Sequence, residues 1–205
     1  HTQTNDMTSI DQINYKDMIH RWNLEKKDPT KKISDPIKPI TWWIENTTPY
    51  EFRDIIKEGV ESWNLAFESA GFKNAIEVKI QPDSSSWDAG DIRYNVLRWT
   101  SSPNPPFGGY GPSFVNPKTG EIIGADIMLE WVYITNRIKY DFLYDSDESD
   151  VFLNDHYCSA SHEFQKQNIF GDNCIDLLDL GKEMKKEMVK QSLYRLVLHE
   201  VGHTL

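Results

Sequence analysis

The sequence contains no apolar run near the ~20 residues that a membrane-spanning helix needs. Positive charge is in short supply: 22 Lys and Arg stand against 32 Asp and Glu, for a formal net charge of -10. That balance excludes the basic stripe with which proteins hold nucleic acid and argues against docking on anionic lipid. Cysteine is scarce, with Cys158 and Cys174 alone, too few to fix a redox compartment. A leader peptide is not visible, but the chain opens on His1 and stops at Leu205 directly after a motif, so both ends read as cut. What remains is an enzyme or a binding domain of ordinary globular composition, 39% hydrophobic and 26% charged, with seven tryptophans to fill a core or line a cleft.

Residues 1–38 are polar and broken by Pro29 and Pro36, and read as an extension or linker anchored by Ile19, Trp22 and Leu24, with a short helix around 11–21. The domain proper is expected over 39–205. Thr41 to Glu45 alternates as a half-buried strand would. Thr48-Pro49-Tyr50-Glu51 has the form of a capping box with proline at the first helical position. Phe52, Ile55, Ile56, Val60, Trp63 and Phe67 then fall at helical spacing, and Gly71 supplies a stop, which predicts a helix over roughly 49–70. Strands are expected at 76–80 and 92–96. A Pro- and Gly-rich loop follows over 101–112, then a hairpin whose turn is Asn116-Pro117-Lys118-Thr119-Gly120 and whose returning strand is Ile122–Leu129. Residues 131–172 show no sustained period and read as an irregular insertion. Helical spacing returns from about Ile175 to Leu205, locally weakened at Gly181. A helix between the first two strands implies a parallel crossover, and the hairpin an antiparallel edge. The fold class is therefore α+β with a mixed sheet.

Histidine is rare, at six residues, yet His199-Glu200-Val201-Gly202-His203 gives the pattern H-E-x-x-H. On a helix, positions four apart share a face, so both imidazoles reach one Zn²⁺ at about 2.0–2.1 Å. Glu200, one residue along, meets the attacking water as general base. The pattern arises by chance in this composition with a probability on the order of a per cent. A catalytic zinc site takes three protein ligands. If the third follows the spacing H-E-x-x-H-x-x-G-x-x-H, it falls six residues after His203, beyond Leu205. On that reading the 205 residues alone should show little peptidase activity.

His199 to Leu205 resembles the opening of the metzincin zinc signature. Arg21 to Pro29, Pro39 to Ile44 and Gly59 to Phe72 are similar to a family of bacterial zinc-dependent metallopeptidases found in large exported proteins. The likeness covers most of 20–130 and 175–205. It implies a zincin-type N-terminal subdomain without its C-terminal subdomain, and a secreted, periplasmic or cell-surface location. It also implies an edge strand over the cleft at about Tyr110–Val115, where Tyr110, Gly111, Pro112, Ser113 and Phe114 would bind an extended peptide or protein substrate through main-chain hydrogen bonds.

Other constellations are weaker. Asp145, Asp147, Glu148 and Asp150 lack the spacing and glycine of a calcium loop and read as a solvated segment. Cys158 and Cys174 are as consistent with a disulfide as with separate thiols. A second zinc site from His156, Cys158, His162 and Cys174 matches no standard finger. Gly108, Gly109 and Gly111 lack the strand-to-helix context of a phosphate cradle. Trp42, Trp43, Trp63, Trp99 and Trp131 are core or strand residues before they are a sugar platform. The competing functional reading is a non-catalytic zincin-like module that binds glycan or protein.

Overall fold

Alternation of apolar residues builds the centre of the molecule. The structure, a computed structural model, describes residues 2–5, 8, 10, 15–102, 109–131 and 160–205, with the backbone alone at 2–5, 15–17, 161 and 162. A short antiparallel pair, β1 (Thr2–Asn5) and β2 (Tyr15–Met18), opens the chain. The helix expected around 11–21 is thus replaced in part by a strand, since the polar run has no apolar face to bury as a helix.

The main sheet contains β3 (Ile40–Ile44), β4 (Ile76–Ile80), β5 (Asn95–Thr100), β6 (Gly109–Tyr110), β7 (Ser113–Val115) and β8 (Ile122–Glu130). Its order is β4-β3-β5-β8-β6, with β7 also on β8. β3, β4, β5 and β8 run parallel, while β6 and β7 pair antiparallel with β8. The mixed sheet, the parallel crossover and the antiparallel edge all follow the sequence pattern. β5 begins three residues later than expected, because Asp91 and Arg93 tie the preceding residues into a turn through their own side chains.

Four helices among the described residues complete the architecture: α1 (Tyr50–Glu61), α2 (Asn64–Ser69), α3 (Ala160–Leu177) and α4 (Gly181–Gly202). The single helix expected over 49–70 is divided at Ser62 and Trp63. Its start differs as well: Pro49 is itself the cap residue and no side chain caps the helix. Arg53 instead secures the entry, donating to the carbonyls of Thr48 and Asn46 at 2.8 and 2.7 Å. At the other end, Gly71 (φ 91°) lets the amides of Gly71 and Phe72 reach the carbonyls of Glu68 and Phe67, at 3.0 and 2.9 Å. A β-carbon at Gly71 would lie 2.9 Å from the Lys32 carbonyl oxygen. Gly71→Ala should therefore cost about 1–2 kcal/mol in urea unfolding, and an unchanged midpoint would refute the strain.

The C-terminal half corrects two expectations. Part of the presumed irregular 131–172 stretch is helix α3, and the helix expected from Ile175 is broken between Leu177 and Gly181. Asp179 and Gly181 take positive φ there (50° and 79°), so Gly181 opens a helix instead of weakening one. The acidic cluster at 145–150, His156 and Cys158 lie outside the described residues, as does any pairing of Cys158 with Cys174.

The core forms where α1 and α4 cover one face of the sheet. Trp42, Ile44, Leu97, Ile127 and Leu129 come from the strands, Phe52, Ile56 and Val60 from α1, and Leu193, Leu196, Val197 and Val201 from α4. Trp99 and Trp131 pack with Phe52, ring centroids 5.3 to 5.6 Å apart. Trp43 points to the opposite face, where it meets Trp87 and Tyr94 edge-on. Of the expected anchors, Trp22 and Leu24 pack on the core, whereas Ile19 is 84% exposed. The outer edge of β4 carries a plug: the Asn64 side chain accepts from the Ile76 amide at 2.9 Å and donates to the Ile76 carbonyl at 3.0 Å. Among the described residues, no helix is long and apolar enough to cross a membrane.

Candidate functional site

The stripe that packs α4 on the sheet runs through Leu193, Leu196, Val197, Glu200 and Val201. Helical periodicity thus drives Glu200 into the interior, at 3% exposure, along with its apolar neighbours. His199 stands beside this stripe, half-buried, and His203 caps the helix in the open. Their Nε2 atoms lie 3.0 Å apart, and the rings meet edge-on with centroids 4.7 Å apart. Phe164 of α3 packs edge-on against His199 at 5.8 Å, and Arg195 lies over the same Phe164 ring at 4.6 Å.

The electrostatics follow from burial. Burial pushes the Glu200 carboxyl up to about 7, because the charged form loses water without gaining a cation. His199 is pushed below its usual range, first by burial and then by the charge of His203. A neutral imidazole with a free lone pair is the form that ligates a metal.

The sheet edge closes against this turn. A β-carbon at Gly109, in β6, would stand 2.6 Å from Glu200 Oε1 and 2.7 Å from its Cδ, so the bare backbone of the edge strand lies on the carboxylate. A β-carbon at Gly111 would stand 3.0 Å from the Glu200 carbonyl oxygen. Tyr110, also in β6, is 44% exposed. Gly111 and Pro112 join β6 to β7, and the Pro112 carbonyl accepts from the Asp126 amide at 3.1 Å. Ser113 and Phe114 lie in β7, opposite Ala125 and Gly124. The five residues expected to bind substrate therefore form a split edge strand, and Gly111 closes on the motif turn. The sequence reads Gly109 only as loop, and no local pattern marks its proximity to Glu200.

The residues fit a metal in one respect and are incomplete in another. Two ligand nitrogens of a tetrahedral zinc site lie about 3.3 Å apart, given bonds of about 2.0–2.1 Å. The 3.0 Å separation of the His199 and His203 nitrogens is close to that spacing. Among the described residues no group of three or more His, Cys, Asp or Glu side chains gathers as a metal site. His162, weighed for a second zinc site, lies in α3 with its side chain outside the description, and Cys174 stands partly buried in the same helix. No family model, no curated protein and no solved structure matches the chain.

Proposed function

We propose that the chain carries the ligand helix and substrate edge of a zinc-dependent peptidase of metzincin type, within an exported bacterial protein. The observation that carries the proposal is the convergence of the His199 and His203 Nε2 atoms at 3.0 Å beside the buried Glu200. His199 and His203 would hold Zn²⁺, with a third imidazole at the position the metzincin spacing gives, six residues after His203. When bound, zinc lowers the pKa of water toward about 7 and polarises a carbonyl oxygen.

The chain's own residues supply the rest. An extended peptide adds to the exposed edge of β6 and β7 through main-chain hydrogen bonds, which sets its carbonyl over the motif turn. Glu200 then takes a proton from the attacking water at a carboxylate oxygen and delivers it to the departing amine. The sheet edge excludes bulk water from the carboxylate, and Phe164 restrains the His199 ring.

The test is metal binding by the protein with its third imidazole in place, with zinc as the titrant. His199→Ala and His203→Ala should each weaken zinc by more than about 100-fold, because each removes a direct ligand. Affinity unchanged in either variant would sink the proposal.

A further inference from the structure

The turn that bears the two histidines is gripped at both ends by indole N–H groups. Trp63, between α1 and α2, donates from Nε1 to the Leu198 carbonyl at 3.0 Å. Trp22, in the N-terminal segment, donates from Nε1 to the Thr204 carbonyl at 2.7 Å. Leu198 directly precedes His199 and Thr204 directly follows His203, so the two bonds bracket the ligand pair.

Each grip has an independent anchor. Carbonyls at a helix C-terminus lack intrahelical partners, and here the last amides already turn to partners three residues back. His203 N–H reaches the Glu200 carbonyl at 3.2 Å, and Thr204 N–H reaches that of Val201 at 2.9 Å. Such an end frays unless something else holds it. Trp22 is itself fixed to the sheet: the Arg21 amide bonds the Gly120 carbonyl at 3.1 Å, and the Ile122 amide bonds the Arg21 carbonyl at 2.8 Å. Trp63 fits because position 202 is glycine; a β-carbon there would lie 2.8 Å from Trp63 Cζ2 and 3.3 Å from Cη2. The glycine inside the H-E-x-x-H sequence is therefore the seat of the indole.

We propose that Trp22 and Trp63 are positioning residues that fix the 199–203 turn, so that the two imidazoles converge before a metal arrives. The inference rests on the zinc reading for its purpose, while the restraint itself is a property of the metal-free chain. Ligands already ordered do not lose rotamer freedom on binding, and groups that orient ligands commonly govern affinity by 10–100-fold.

Trp22→Phe and Trp63→Phe keep an aromatic ring and delete the N–H. In each variant, amides 199–205 should exchange with solvent about 5- to 10-fold faster in the metal-free chain, while those of β3, β5 and β8 stay unchanged. The zinc dissociation constant should rise about tenfold or more. Gly202→Ala, which displaces the Trp63 ring while leaving its N–H in place, should do the same. Should Trp63→Phe unfold, Trp22→Phe and Gly202→Ala carry the test. Unchanged exchange at the turn, or a uniform rise through the sheet, would overturn the inference, the second because it marks lost packing. Zinc binding by the unaltered chain with an unchanged constant in the variants would overturn it as well. Failure to bind zinc by the unaltered protein with its third imidazole in place would instead overturn the peptidase reading, and turn-selective exchange would still uphold the restraint.

Discussion

Replacing Glu200 with glutamine should lower peptide hydrolysis by about 10³-fold in the zinc-loaded, cleaving protein, with zinc still bound. General acid–base groups contribute about 10²–10⁴-fold, and glutamine keeps the shape of the side chain while losing its capacity to accept a proton. Shape matters here because the carboxylate lies directly against the Gly109 backbone, which leaves little room to reorganise. Glu200→Ala should lose the same activity and also open a void under β6. Neither change removes an imidazole, so zinc stoichiometry should hold while kcat falls. Measured turnover near that of the unaltered protein, with zinc in place, would exclude Glu200 as the base.

The second expected result concerns stability without metal. The Glu200 carboxyl titrates near 7 in the folded chain, raised by burial from 4.5. Between those values the folded state binds a proton that the unfolded state has released, so folding stability must fall as pH rises through that window. At 1.36 kcal/mol per unit the loss approaches roughly 3 kcal/mol by pH 8. Glu200→Gln carries no charge to bury, so it should remove this slope. In chelator, the variant should match the unaltered chain near pH 4.5 and exceed it by roughly 2–3 kcal/mol at pH 8. Parallel stability profiles for the two proteins between pH 4.5 and 8 would show that the carboxylate is hydrated, contrary to its 3% exposure.

Period and punctuation make much of this fold readable in the chain itself. β3, α1, β4 and the β7–β8 hairpin lie close to where alternation, helical spacing, Gly71 and the Asn116–Gly120 turn place them. The misses have physical causes. Leu177, Leu178 and Leu180 continue a helical spacing on paper, yet they stand exposed at the bend between α3 and α4, where Asp179 and Gly181 adopt left-handed backbone. Ile92 and Tyr94 alternate like strand residues, but side-chain bonds around Asp91 hold them in a turn. The histidine pair was legible because an i, i+4 relation is local. The covering of Glu200 by Gly109 and the reach of Trp22 to Thr204 join segments 91 and 182 residues apart. No local pattern encodes such contacts.

The Asn64 plug on β4 has a bearing on how copies of the chain meet in concentrated solution. Its amide mimics one more residue of backbone, consuming the first outward-facing donor and acceptor of that border strand. Open borders invite stacking of one sheet on another and, in time, fibrils. With this border masked at its start, a second copy finds less of β4 to pair with, and on the peptidase reading an extended peptide along β6 and β7 would cover the opposite border as well.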